Sequence, residues 1–118
     1  MYSFYDSLKI HKTNYLRELY LNKKPFPHLV LDNFLDNKYS LDLEKECRQT
    51  TTNINSSNNF TQKSKTTLSD KKMMTKKVSD TCNFFMSADF LEFLTEITGV
   101  KELIPDPYLE GGGLHRTS

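Results

Sequence analysis

The sequence lacks, or has few of, several features that would restrict the classes of function it could have. It contains no tryptophan and two cysteines, Cys47 and Cys82, which form no CxxC pair and lack the ligand spacing of a zinc site. Two such thiols are typical of reduced cysteines in a cytosolic protein. No apolar run approaches the roughly 20 residues of a membrane span, and the N-terminus has no signal-peptide pattern. We therefore expect a cytoplasmic protein with no membrane partner.

An excess of charge of one sign is also missing. Sixteen Lys and Arg residues stand against fifteen Asp and Glu residues, giving a formal net charge of +1. The overall charge therefore predicts neither a nucleic-acid nor a membrane partner. Aromatic residues, in contrast, are plentiful, with eight phenylalanines and six tyrosines among 118 residues. Buried rings remove large apolar areas from water, so we expect a packed core, and at this length it belongs to one domain at most.

Hydrophobic periodicity predicts short helices. Apolar residues at three- and four-residue steps favour helices in three segments, which are residues 8–21, 36–48 and 70–86. A clearer helix covers residues 88–97, because Ser87 is a good N-cap and Gly99 stands where a left-handed C-terminal residue belongs.

Two segments depart from the helical pattern. His28–Asp32 is a short apolar run behind Pro27 and predicts a buried strand of about five residues. Residues 50–69 are rich in Thr, Asn, Ser and Lys and predict a polar, flexible surface loop. The predicted fold class is therefore α+β, with several helices and about three short strands.

The histidines show no recognisable catalytic or metal-binding pattern. None of His11, His28 and His115 is followed two positions later by Asp or Glu, so the His-x-Asp arrangement of non-haem Fe(II) sites is absent. No P-loop, HExxH or supported serine–histidine–aspartate arrangement occurs either. We assign no catalytic and no metal-ligating residue, and we interpret His28 as a core or edge histidine with one hydrogen bond and His11 as a partly exposed surface residue.

A glycine run near the C-terminus marks the best candidate site. Gly111, Gly112 and Gly113 directly precede Leu114 and His115. Consecutive glycines allow another group to approach the backbone closely. A strand that follows them would point the imidazole of His115 to one side.

A lysine-rich stretch, Lys63–Lys77, offers an alternative. Its members are Lys63, Lys65, Lys71, Lys72, Lys76 and Lys77. No aromatic or arginine readout is interleaved with them, so we interpret the stretch as a solvated surface and do not expect a nucleic-acid partner. The competing hypothesis is a small non-enzymatic binding module that uses these lysines, with the aromatic face, to hold a protein or nucleic acid.

Two blocks of sequence together resemble a known family. Pro25-Phe-Pro-His-Leu-Val-Leu-Asp-Asn-Phe-Leu35 is one block. The other begins at Phe90-Leu-Glu-Phe-Leu-Thr-Glu-Ile-Thr-Gly-Val100 and runs through Leu103-Ile-Pro-Asp-Pro107 to Leu109-Glu-Gly-Gly-Gly-Leu-His115. Both are similar, in order and spacing, to the N-terminal portion of 2-oxoglutarate- and Fe(II)-dependent dioxygenases of the proline hydroxylase-like (prolyl 4-hydroxylase) type.

The resemblance implies an oxidoreductase that uses Fe(II), 2-oxoglutarate and O2, with ascorbate as an optional cofactor, to hydroxylate a C–H bond of a prolyl or small-molecule substrate. It implies that residues 1–118 are the N-terminal part of one dioxygenase domain, the first helices and strands of a double-stranded β-helix (jelly roll) truncated before the barrel closes. Gly111–Gly113 and His115 would border the active site. Core packing is implied for seven residues, Phe26, Leu29, Leu31, Phe34, Phe90, Leu94 and Ile97.

Because the His-x-Asp and distal histidine of that family are missing, we expect this chain alone to be inactive. We also expect the faces of Phe90, Phe93 and Leu94 to be exposed for want of a covering sheet.

Overall fold

The computed structural model describes residues 3–55, 65–68, 71–109 and 112–117. Helices dominate this part of the chain. The elements are α1 (Phe4–Lys9), α2 (Thr13–Asn22), α3 (Asn37–Asn55), β1 (Lys65–Leu68), a 3-10 helix (Lys71–Met73), α4 (Lys76–Phe85), α5 (Ala88–Thr98) and β2 (Leu114–Thr117). Contacts within the chain divide it into two compact units. The first unit comprises residues 1–39 and 84–105, and the second comprises residues 40–83 and 106–118.

The predicted fold class, an α+β start of a jelly roll, is wrong for the residues that the structure describes. Their two strands form one antiparallel sheet, in which Lys65 lies opposite Thr117 and Leu68 lies opposite Leu114. Two four-residue strands are too few to enclose a barrel. His28–Asp32, the predicted strand, forms no strand, because a strand needs a second strand to share its hydrogen bonds.

Helix α5 is confirmed at both ends. The Oγ of Ser87 accepts a hydrogen bond from the backbone N of Phe90 at 3.2 Å, which satisfies an N–H that the helix itself cannot pair. At the other end Gly99 adopts a left-handed φ of 76° and donates its N–H to the carbonyl of Thr95. The apolar stripe of the helix buries Phe93 and Ile97.

The core of the first unit lies where α2 packs against α5. Leu16, Phe93 and Ile97 are its buried members. Partly buried apolar residues surround them, namely Leu8, Leu19, Tyr20, Leu29, Leu31, Phe34, Phe90 and Leu94. The expected exposed patch at Phe90, Phe93 and Leu94 is therefore wrong, because α2 and the segment that follows it supply apolar neighbours. The predicted core residue Phe26 is instead 62% exposed.

Other helix limits differ from the sequence prediction. Residues 8–21 belong to two helices, since α1 ends at Lys9 and α2 begins at Thr13. Helix α3 continues to Asn55, and β1 occupies Lys65–Leu68, so the predicted loop at 50–69 is ordered at both ends. The hydroxyl of Thr50 donates to the carbonyl of Glu46 at 2.8 Å, which lets a buried polar residue remain inside the helix. Positions 56–64 and 69 lie outside the described residues.

The second unit includes most of α3 and α4. Met74 and Val78 are buried, whereas Met73 is exposed. The hydroxyl of Thr81 donates to the carbonyl of Lys77, so another buried polar group is satisfied within its own helix. Within the described residues, no helix is long and apolar enough to cross a membrane.

Candidate functional site

The glycine segment leads directly into a strand, as the sequence predicts. The backbone N of Leu109 donates to the carbonyl of Asp106 at 3.0 Å and closes a turn that begins with the Asp-Pro pair. Gly112 and Gly113 follow and join β2 at Leu114. A Cβ atom added at Gly112 would lie 3.7 Å from Leu109 Cδ2 and 4.0 Å from Asp106 Oδ2, ordinary contacts that a side chain tolerates. Gly111 lies outside the described residues.

His115 lies on β2, opposite Thr67 of β1, and is exposed. The backbone of His115 is held in place because β2 pairs with β1. This pairing, and not the wall of a cavity, positions the histidine. The described residues of this segment therefore supply two glycines followed by a paired strand.

The described residues do not fit an iron site. They contain no group of three His, Cys, Asp or Glu side chains that could hold a metal ion, whereas the facial triad needs two histidines and a carboxylate. His28 Nδ1 lies 2.8 Å from the carbonyl oxygen of Phe26, as expected for a histidine with one hydrogen bond. His11 stacks on Phe34 with the ring centroids 5.5 Å apart. We therefore derive no reaction step through iron from these residues.

An apolar cavity of about 390 Å³ lies in the first unit. Its lining is Tyr20, Leu29, Leu31, Phe34, Phe85, Phe90, Phe93, Leu94, Ile97 and Thr98. Phe90 is central to the lining rings, with centroids 4.9 Å from Phe85 and 5.9 Å from Phe93. None of the ten lining residues carries a charge, so the cavity suits an apolar side chain and cannot pair with the carboxylates of 2-oxoglutarate.

A second cavity in the first unit, about 450 Å³, has an acidic wall. Asp89, Glu92 and Glu96 line it from α5, and Lys9 and His11 are among the other lining residues. The three carboxylates repeat at helical spacing on one exposed face, which is typical of a solvated helix surface. This wall would repel a dianionic cosubstrate.

His11 is partly exposed, as the sequence predicts. Its Nε2 is nevertheless buried and has no hydrogen-bond partner among the described residues. Its ring neighbours, Phe34 and Phe93, are distant in sequence. A local pattern around His11 therefore holds no signal for this environment.

Two members of the lysine-rich stretch are engaged by carboxylates. Lys76 Nζ lies 2.6 Å from Asp80 Oδ2, and Lys77 Nζ lies 3.6 Å from Asp42 Oδ2 and 4.0 Å from Glu46 Oε2. A lysine that is already paired with a carboxylate of its own chain releases fewer counterions from a nucleic acid when it contacts a phosphate. It therefore contributes less to nucleic-acid binding. Lys63 lies outside the described residues.

The two cysteines are half-buried and do not form a disulfide. Burial raises the pKa of Cys47 above its ordinary value, and the neighbouring Cys82 and Glu46 raise it further. Since the thiolate is the nucleophilic and metal-binding form, Cys47 is held in its unreactive protonated form at neutral pH.

Comparison of the chain with protein-family models, with curated proteins and with solved structures gives no match in any of the three. The features that bear on the function are the glycine segment, the two cavities and the ion pairs of the lysine-rich stretch.

Proposed function

We propose that this chain is a non-catalytic, N-terminal part of a 2-oxoglutarate- and Fe(II)-dependent dioxygenase of the prolyl-hydroxylase-like type. The observation that carries the proposal is the ordered motif from Leu103-Ile-Pro-Asp-Pro107 to Gly111-Gly-Gly-Leu-His115. The order of the structural elements along this part of the chain supports the proposal. The capped helix α5 is followed by a turn at Asp106, two glycines and the strand β2.

In this proposal the chain is part of the folded scaffold of the enzyme and contributes no catalytic or metal-binding residue. The complete enzyme would use Fe(II), 2-oxoglutarate and O2 to hydroxylate a C–H bond of a prolyl or small-molecule substrate. The metal ligands would come from polypeptide other than these 118 residues, because this sequence has no His-x-Asp. Gly112, Gly113 and His115 would border the site, and the packing of α5 on α2 would hold the elements that precede them.

The test separates scaffold from catalyst. Titration calorimetry of the 118-residue chain with 2-oxoglutarate, using Mn(II) in place of Fe(II), is expected to give no specific binding. The polypeptide encoded by the reading frame through and beyond the codon for Ser118 is expected to contain His-x-Asp and to bind both. Metal-dependent binding by the 118-residue chain would contradict the scaffold role, and a reading frame without His-x-Asp would contradict the family.

The alternative, a small binding module built on Lys63–Lys77, is less well supported. Lys77 is 28% exposed at its side chain and faces two carboxylates, and Lys76 forms a close pair with Asp80. Binding to a nucleic acid with a steep dependence on salt would favour this alternative over the dioxygenase proposal.

A further inference from the structure

Four phenylalanine rings line the apolar cavity of the first unit, which we call the Phe90 cavity. The ring centroid of Phe90 lies 6.2 Å from that of Phe34, 4.9 Å from that of Phe85 and 5.9 Å from that of Phe93. The cavity measures about 390 Å³, whereas protein interiors contain few spaces larger than a water molecule. A molecule bound there gains van der Waals contacts that the rings do not make with the protein itself.

Two residues that line the Phe90 cavity carry a hydroxyl group, Tyr20 and Thr98. The hydroxyl of Thr98 is already paired, because it donates to the carbonyl of Leu94 at 2.8 Å and accepts from the backbone N of Val100 at 3.1 Å. The hydroxyl of Tyr20 makes no hydrogen bond within the part of the chain that the structure describes. The cavity therefore offers one hydroxyl to a ligand, on a side chain that is itself partly buried.

We propose that the Phe90 cavity binds an uncharged aromatic molecule of two fused rings that carries one hydrogen-bonding group. Phenylalanine rings favour offset or edge-to-face contact with a further aromatic ring. No lining residue is charged, so a charged ligand would lose its hydration without gaining a partner. An apolar cavity of about 150 Å³ takes up benzene, so about 390 Å³ has room for a second ring.

The lining of the Phe90 cavity comes from separate parts of the first unit, as is usual for a small-molecule site. Tyr20 belongs to α2, Leu29 and Phe34 to the segment after it, and Phe93 to α5. All the lining residues lie in the first unit, whereas the glycine segment and His115 lie in the second. The proposed site is therefore independent of the dioxygenase assignment.

Titration of the 118-residue chain with indole, followed by NMR of its methyl groups, tests this site. Indole has two fused rings, one N–H and no charge. Saturable shifts and nuclear Overhauser contacts are expected at the methyl groups of Leu29, Leu31 and Ile97. The methyl groups of Ile104 are the matched control, because Ile104 is exposed and outside the lining. The proposal is overturned if the shifts do not saturate, or if indole contacts Ile104 as strongly as the cavity.

The hydroxyl of Tyr20 provides a second test that leaves the rings in place. Tyr20→Phe removes one hydrogen-bonding group and is expected to weaken indole binding roughly fivefold. 1-Methylindole has no N–H to donate, so it is expected to bind Tyr20→Phe and the unchanged chain equally. Tyr15→Phe alters an exposed tyrosine of the same helix and is expected to bind indole like the unchanged chain. Equal weakening of both compounds by Tyr20→Phe would overturn the assigned hydrogen bond.

Ligand charge and chain concentration distinguish the Phe90 cavity from a general apolar surface. Indole-3-carboxylate has the same rings with a negative charge and is expected to bind more weakly than indole by roughly tenfold or more. Equal binding of the two compounds would overturn the proposal. Shifts at Leu29, Leu31 and Ile97 that grow with chain concentration alone would identify a second copy as the occupant and would also overturn it.

Discussion

Replacing Ile97 with alanine tests the packing of α2 on α5. Ile97 is 3% exposed and lies in the buried cluster with Leu16 and Phe93. The substitution removes three carbon atoms, and each buried methylene contributes about 0.8 kcal/mol, so the transfer loss is about 2.4 kcal/mol. The cavity left behind adds to this loss. We expect the free energy of unfolding to fall by about 3 kcal/mol, within the range of roughly 2–5 kcal/mol for such truncations.

Urea denaturation followed by far-UV circular dichroism measures this loss, because helices dominate the signal. Ile104→Ala is the matched control, since the same side chain is 83% exposed at that position. The control is expected to change the free energy of unfolding by less than about 0.5 kcal/mol. If Ile97→Ala costs no more than Ile104→Ala, Ile97 is not buried against α2 and the reasoning fails.

Three further substitutions test the helix ends and the thiol. Gly99→Ala should lower the free energy of unfolding by about 1 kcal/mol in the same assay, because alanine resists the left-handed φ of 76°; an unchanged value would contradict that conformation. Ser87→Ala should lower it by about 1 kcal/mol through loss of the N-cap bond, whereas an equal effect from Ser79→Ala would refute the cap. The folded state holds the proton of Cys47 more tightly than the unfolded state, because its pKa is raised. Stability should therefore be fully present at neutral pH and fall as the pH rises through that raised pKa; Cys47→Ser should flatten this fall in pH-dependent urea denaturation, and an unaltered profile would contradict it.

Helix α5 could be predicted from sequence because every signal for it is local. Ser87 caps its start, apolar residues at helical spacing form its buried face, and Gly99 ends it. Each of these acts within one helical turn, so no knowledge of the rest of the fold is needed. Gly112 and Gly113 disfavour a helix at that point, and β2 begins directly after them at Leu114.

The strand predicted at His28–Asp32 shows what cannot be predicted from neighbouring residues alone. Its side chains alternate between core and solvent as the sequence indicates. A strand is nevertheless defined by hydrogen bonds to a partner, and that partner is not written into the segment itself. The predicted jelly roll failed for the same reason, because sheet architecture depends on pairings between distant residues.

The candidate sites depend on distant residues to an even greater degree. The environment of His11 is set by Phe34 and Phe93, and Lys77 is engaged by Asp42 and Glu46 of another helix. No pattern around His11 or Lys77 contains these neighbours, so the buried Nε2 and the neutralised lysine could not be predicted from their own segments.

Turnover of 2-oxoglutarate tests the proposed function most directly. The polypeptide encoded by the whole reading frame that contains these 118 residues would be purified and supplied with Fe(II), O2, 2-oxoglutarate and ascorbate, which provides the two electrons that a hydroxylated substrate would otherwise provide. We predict that it decarboxylates 2-oxoglutarate to succinate in a reaction that requires both Fe(II) and O2. A folded polypeptide from that reading frame that forms no succinate would contradict the assignment.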